Sequence, residues 1–327
     1  MSWFSSDQQT HSGRFLKVAV VDGNTGVAVT RVSFVGLGRV ARALAVAFTD
    51  ASFAVTASYD TNPSANQLWS ERLSLPVSWD LMSVVNETDF LFITTSDNAI
   101  SDVAHRLAAL DQIGVLRAVF HTSGALGSDV LEPIRQRGIE VASIHPVMSF
   151  LGRERDVANL RRCTFCVEAA SETAVDAAMK LCNRLGVQSV RIPQEAKSAH
   201  HLACVLVSNF SVLLLAEASE VYRSVGVPLS TAEKMLGALA EVSLENSQLT
   251  GVEEAMTGPF VRGDSETVLL HLSWLARNAP HLVPMYRILA MRLTGLARRA
   301  GRISAAQEKA ILEALRAGDE TTSKGQQ

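Results

Sequence analysis

The segment QEAKSAHHLACVLVSNF, residues 194 to 210, sets Lys197, His200, His201, Ser208 and Asn209 into an otherwise apolar run. Lysine and histidine can give a proton to an oxygen or nitrogen as hydride arrives on the neighbouring carbon. A cationic lysine can instead anchor a carboxylate. On a helix of about 100° per residue, His201 lies about 40° and Ser208 about 20° from Lys197, so the three share a stripe. Asn209 points elsewhere, about 120° away. An ammonium in an apolar helix is costly unless it is paired or lines a wet cleft. The stripe is therefore expected to face a cleft, with Lys197 and His201 as the proton donor or anion anchor and Ser208 beside the substrate. The competing reading is a lysine that snorkels at the helix start while the histidines bond locally.

A second constellation lies upstream. SFVGLGRVARALA has the form G-x-G-x-x-A, with Gly36, Gly38 and Ala41 between a strand-like run and a helical one. Gly36 permits the tight turn, Gly38 lets backbone approach a pyrophosphate, and Ala41 keeps the helix close to the sheet. The turn residues Leu37, Arg39 and Val40 belong to the same anion-binding helix start. Asp60, in ASYDTNPS, follows Gly36 by 24 residues. An acid at that distance can accept the adenosine ribose hydroxyls and repel a 2′-phosphate. Thr61 stands next to it, and DTNPSANQLWS contains no lysine or arginine. NAD is expected, with NADP possible. Asp60 could equally cap the turn before Asn62-Pro63.

Ligands of open α/β sheets bind beyond the carboxyl ends of the strands. Three such ends are polar: TTSDN (94–98), HTSGALGSD (121–129) and HPVMSF (145–150). Thr95 and Ser96 are expected at the cofactor, and His121, Ser123, Gly124 and His145 at the substrate. Any of these, taken singly, could be an ordinary turn residue. His121, His145 and His201 could hold a metal if they converged, but no H-x-x-x-H or acid at ligand spacing supports it, so no metal is expected. No G-x-S-x-G elbow points to a serine hydrolase.

The elements that must position these residues alternate. Short apolar runs around 31–36, 53–60, 89–95, 116–122, 139–146, 162–169 and 187–193 read as strands, with helical runs such as RVARALAVAFTD and ISDVAHRLAAL between them. This order predicts a doubly wound parallel sheet. After Pro193 the strands stop, and helices are expected near 195–225, 229–247, 264–277, 281–300 and 304–317. The domains are thus an N-terminal extension over 1–30, a dinucleotide-binding domain over 31–193, an all-helical substrate and dimerisation domain over 194–318, and a flexible tail over 319–327. A hairpin around DGNTG could add an edge strand within the extension.

Bulk properties narrow the class. Of 327 residues, 47% are hydrophobic and 19% charged, which allows a large core. A net charge of −3 carries no footprint for nucleic acid or an anionic membrane. Four cysteines make no disulfide framework. Cys163 and Cys166 form a C-x-x-C in a β-like run, where they face opposite sides, so they are read as structural. The N-terminus lacks the apolar core of a signal peptide. LACVLVSNFSVLLLAEA is shorter than the roughly 20 residues of a membrane span, so a buried helix or a subunit interface is expected, in a cytoplasmic protein.

The stretches VGLGRVARALA, FHTSGALGSDVLEPIRQRGIEVASIHPVMSF, KSAHHLACVLVSNF and TGPFVRGDSETVLLHL resemble a bacterial family classed with the oxidoreductases. Its members pair a Rossmann-like domain with a helical C-terminal domain of unknown function. They belong to the wider group resembling 6-phosphogluconate dehydrogenase, ketopantoate reductase and pyrroline-5-carboxylate reductase. The resemblance covers about 31–300 and implies a nicotinamide-dependent reductase, a homodimer through the helical domain. In the wider group a lysine and an asparagine at the start of the long helix handle substrate. Lys197 matches the lysine, while the position four residues on is His201. An arginine after the second strand, which suggests NADP in the family, is replaced here by Asp60-Thr61-Asn62. In TGPFVRGDSE, Asp264 or Ser265 reads as a helix cap, and Arg262 as a candidate for a substrate carboxylate or phosphate. The expected activity is reduction of a small oxo acid, ketopantoate-like, or of an imino acid. A silent dinucleotide sensor and a deazaflavin-linked reductase are the alternatives.

Overall fold

The computed structural model describes residues 29–113 and 116–322, with side chains to residue 317. The hairpin around DGNTG lies outside the described residues. The chain forms two compact units that divide after Ser208, one helix later than the boundary read at 193/194.

The first unit is a seven-stranded sheet. Its strands are β1 (Arg31–Val35), β2 (Ala54–Val55), β3 (Phe90–Ile93), β4 (Ala118–His121), β5 (Glu140–Pro146), β6 (Thr164–Glu168) and β7 (Gln188–Arg191). Their spatial order is β2-β1-β3-β4-β5-β6-β7. Helices α1 (Arg39–Asp50), α2 (Pro63–Leu73), α3 (Leu81–Asn86), α4 (Asp97–Ala108), α5 (Glu132–Arg135), α6 (Arg155–Leu160) and α7 (Glu172–Arg184) connect them, and α8 (Lys197–Val207) follows β7. The order reverses between β1 and β3. That switch point opens a crevice at the carboxyl ends of the two strands, where Gly36 and Thr95 lie.

The wholly parallel sheet needs one correction: β6 runs antiparallel to β5. The link between them stays at the carboxyl edge, where the Val147 amide donates to the Thr164 carbonyl. Phe165 thus starts opposite Pro146, and the strand can only run back. The run 53–60 yields two strand residues and a bridge from Val35 to Tyr59. SDVLEPIRQRG, helical by composition, forms only a 3₁₀ turn and a single helical turn, because Pro133 lacks the N–H that a longer helix would use.

Both sheet faces are apolar. On one, Phe34 is fully buried, with ring centroids 5.6 Å from Phe92 and Trp69 and 6.1 Å from Phe48. On the other, Ile93, Val103, Leu107, Val119 and Leu131 close a second layer. Cys163 packs against the first layer, and all four cysteines are free.

The second unit contains α9 (Asn209–Ser224), α10 (Leu229–Thr250), α11 (Val252–Ala255), α12 (Pro259–Arg262), α13 (Ser265–Asn278), α14 (Val283–Arg299) and α15 (Ala305–Thr322). Its core gathers Val268, Leu272, Ala290, Ala297, Ile311 and Leu315. Asp264 is the cap of α13, accepting from the Thr267 amide at 3.0 Å. The last helix extends into the stretch read as a tail. The helical stretch Gln194–Ser224 is long and apolar enough, by length and composition, to cross a membrane, and it is barely buried. Of the two expectations for it, burial within the chain is not met, and a subunit interface is the one that remains. Val212, Leu213 and Leu214 on α9, and Leu239, Val242 and Leu249 on α10, are exposed.

Phe34→Ala is expected to cost the first unit about 3–5 kcal/mol, because a fully buried ring leaves a cavity between stiff strands. Urea unfolding followed by circular dichroism measures it; a loss below about 1 kcal/mol would mean the aromatic layer is not the core.

Candidate functional site

The glycine turn forms at the switch point. Gly36 has φ +94°, and a Cβ there would lie 2.7 Å from the Thr95 amide nitrogen. The turn is wired to its neighbours: the Gly36 amide donates to the Tyr59 carbonyl, and Thr94 Oγ1 donates to the Gly36 carbonyl at 2.6 Å. Gly38 caps α1 without a side-chain hydrogen bond, and a Cβ there would meet nothing within 4 Å. The first amides of α1 therefore lack intrahelical partners, and the space beside Gly38 is open, as an anion site requires. Arg39 is exposed and Val40 half-buried in this first turn. The Arg39 and Arg42 side chains crowd Gly152, and burial and Arg39 together lower the Arg42 pKa.

Asp60 is aligned with the turn. Its Oδ2 accepts from the Leu37 amide at 2.7 Å and its Oδ1 from the Asn62 amide at 2.7 Å. The ribose-acid and turn-capping readings are thus compatible: the capping bonds fix the carboxylate beside the glycine turn, and a carboxylate keeps further lone pairs. Thr61 is exposed next to it. Thr95 Oγ1 is buried with no hydrogen-bond partner among the described residues. Ser96 stands at the start of α4, where its hydroxyl donates to Asn98 Oδ1 at 2.6 Å and makes no capping bond. An open glycine cradle, a held acid and an orphaned hydroxyl fit a dinucleotide.

The second cluster forms where α8 meets the ends of β4 and β5. Lys197 is 3% exposed, and its Nζ donates to the Ser123 carbonyl at 2.8 Å and to Ser143 Oγ at 2.7 Å. The stripe thus docks on the sheet edge at Lys197 instead of lining water there. Burial lowers the Lys197 pKa, opposed by Cys166, Glu168 and Asp97. Ser208 ends α8 and its hydroxyl meets Ser149 at 2.8 Å.

His121 and Ser123 are spent inside their turn. His121 Nε2 lies 3.0 Å from the Gly127 carbonyl and its Nδ1 accepts the Ser123 amide, which sets the tautomer. Ser123 Oγ donates to Asp97 at 2.8 Å and accepts the amides of Ala125 and Leu126. Gly124 leaves room for two imidazoles: a Cβ there would sit 2.9 Å from His145 Nε2 and 3.0 Å from His201 Nδ1. His201 is exposed. His145 Nδ1 pairs with His200 Nε2 at 2.9 Å. Arg262, in the second unit, is exposed and 3.9 Å from Asp264.

Three residues of this cluster escaped sequence reading, Asp97, Ser143 and Cys204, and His200 was read only as a local hydrogen-bonding group. Ser143 shares its strand face with His145, two residues on, and His200 and Cys204 are one helical turn apart. Both spacings were available. Among the described residues it is His145, His200 and Cys204 whose donor atoms converge, and not the trio His121, His145 and His201.

Fold and site thus define an α/β unit with a glycine turn at its switch point, followed by a helical unit. Residues 19–146 match the Rossmann-like domain family, and residues 163–293 match DUF2520, a domain of unknown function. This is the domain pairing of the family the chain resembles. None of the curated proteins matches the sequence. A Bacteroides fragilis structure provisionally described as an NADP oxidoreductase superposes with a TM-score of 0.65 at 19% identity, over 82% of this chain and 98% of that one. A pyrroline-5-carboxylate reductase from Streptococcus pyogenes gives 0.57 at 11% identity, over 84% and 99%. An imine reductase from Myxococcus stipitatus in complex with NADP+ gives 0.56 at 18%, over 87% and 99%, and a variant of it is known with NAD+.

Burial pushes His121 down to about 4, and burial with His200 and Lys197 pushes His145 down to about 3, from 6.5. Both folded values lie below the unfolded one. Their contribution is therefore complete above pH 6.5 and is lost as the unfolded chain gains protons below it. Stability should fall from pH 6.5 toward 4.5. His121→Asn should reduce the slope by about one proton; an unchanged slope in urea titrations would contradict the neutral, buried imidazole.

Proposed function

We propose that the protein is an NAD(P)-dependent reductase of a small substrate bearing a C=N or C=O bond next to a carboxylate. The observation that carries this reading is Asp60, held 2.7 Å from the Leu37 amide at the switch point. The glycine cradle takes the pyrophosphate, Asp60 the adenosine ribose, and the Thr95–Ser96 turn the inner phosphate or ribose. Bound there, the nicotinamide supplies or accepts the hydride. Lys197 is the positioning residue: it clamps the Ser123–Gly124 turn against β5, so that His145 and His201 face the space that Gly124 leaves. His201, exposed at the end of that space, is the proton donor or carboxylate anchor. The named activities of the pyrroline-5-carboxylate and imine reductases favour an imino substrate over a ketopantoate-like oxo acid. NAD is favoured by Asp60, whose charge opposes a 2′-phosphate.

Fluorescence titration with NADH and NADPH tests this. NADH should bind the more tightly. Asp60→Asn keeps an oxygen for the Leu37 amide but loses the charge, and should shift the preference toward NADPH by about tenfold, roughly 1.4 kcal/mol. Failure of both cofactors to bind would overturn the reading.

We also propose that the protein is a cytoplasmic homodimer whose interface is the apolar face of α9 and α10, too extensive for an isolated soluble chain. Sedimentation should give twice the chain mass of 35.2 kDa. Leu213→Asp with Leu239→Asp should shift it to one chain; recovery of the wild type with membranes would instead favour a membrane role for Gln194–Ser224.

A further inference from the structure

The His145–His200 pair has a third neighbour. Cys204 Sγ lies 3.9 Å from His200 Nε2. The donor atoms of His145, His200 and Cys204 all fall within 4.8 Å of one another, and each residue is half-buried. Two of them come from α8, one turn apart, and the third from the end of β5. We propose that these three side chains bind a thiophilic divalent ion, of which zinc is the type, through His145 Nδ1, His200 Nε2 and Cys204 Sγ.

The donor chemistry favours this. Two imidazoles and a thiol form a nitrogen–sulfur set, and three protein ligands with one open position are the stoichiometry of catalytic zinc sites. Bonds of about 2.0–2.1 Å to nitrogen and about 2.3 Å to sulfur separate tetrahedral ligand atoms by about 3.3–3.6 Å. The observed 2.9 Å between the imidazole nitrogens and 3.9 Å from nitrogen to sulfur bracket that range. Side-chain rotations moving each atom by less than a bond length would seat an ion. Without one, the ring nitrogens share a single proton, and His200 Nε2 cannot serve both His145 and the thiol. An ion would take the place of that proton and of the thiol proton.

The surroundings hold the donors in place. The Lys197 clamp anchors the start of α8 on β5, the strand that carries His145. The absence of a side chain at Gly124 leaves His145 free to keep its Nε2 away from the ion. The charged and titratable groups that act on the donors are Lys197, His121, His201 and Cys166. Lys197 opposes a cation, and loss of the Cys204 thiol proton on binding offsets it.

The test uses the full-length protein, stripped of metal, reduced, and titrated with Co²⁺. The wild type should develop a thiolate-to-cobalt charge-transfer band and the visible bands of a four-coordinate ion, both abolished by Zn²⁺ competition. Cys204→Ser should remove the charge-transfer band, and His200→Ala and His145→Ala should each weaken binding at least tenfold. Cys166→Ser should leave the band in place. Circular dichroism confirms that each variant is folded, and a variant that is not is replaced by the Gln substitution at the same histidine. No charge-transfer band in the wild type, or a band that survives Cys204→Ser, overturns the site. NADH titration of the stripped protein separates the two readings: cofactor binding without cobalt binding removes the metal alone, and the reverse removes the reductase reading alone.

Discussion

Burying an ammonium away from water costs several kcal/mol unless its donors are met. Lys197 satisfies two of them, on the Ser123 carbonyl and the Ser143 hydroxyl. That requirement organises the carboxyl edge of the sheet. The turn after β4 must present a carbonyl, β5 must place a hydroxyl inward at Ser143, and α8 must begin where its first side chain reaches both. Once it does, His200, His201 and Cys204 have no choice of direction. Burial that makes the lysine expensive also pushes His121, His145 and His200 toward their neutral forms.

The glycine turn shows a related economy. Asp60 closes the loop after β2 through Asn62 and braces the glycine turn through Leu37, so one carboxylate positions two backbone segments. A side chain with two structural duties is still free to accept from a ligand. That is why a structural reading of Asp60 and a binding one need not compete.

The architecture was legible because it is written in local signals. Apolar runs of strand length, glycine stops and helical periodicity placed most strands and the long helices α1, α4, α7, α10, α13, α14 and α15 to within a few residues, but not the shorter helices α2, α3 and α6. The glycine turn and Asp60 were legible by spacing. The direction of β6 was not, since it depends on where the chain after Pro146 is held, a non-local hydrogen bond. The chemistry around α8 was half legible. The Lys197 stripe was visible, but its burial depends on partners 74 and 54 residues away. His121 and Ser123 look as reactive in sequence as His145 does; only the bonds they make inside the turn distinguish them. Exposure of the apolar helix also defeats composition, which cannot say whether a greasy face meets its own chain.

The length of those same contacts bears on how the protein folds. A clamp that joins Lys197 to Ser123 and Ser143 cannot form until β4 and β5 are aligned, and contacts of such separation are closed late. A chain halted just short of that step would have a nearly complete sheet and an undocked, apolar α8. Such a species is the kind that aggregates, so the yield of soluble protein should depend on temperature and synthesis rate more than native-state stability would suggest.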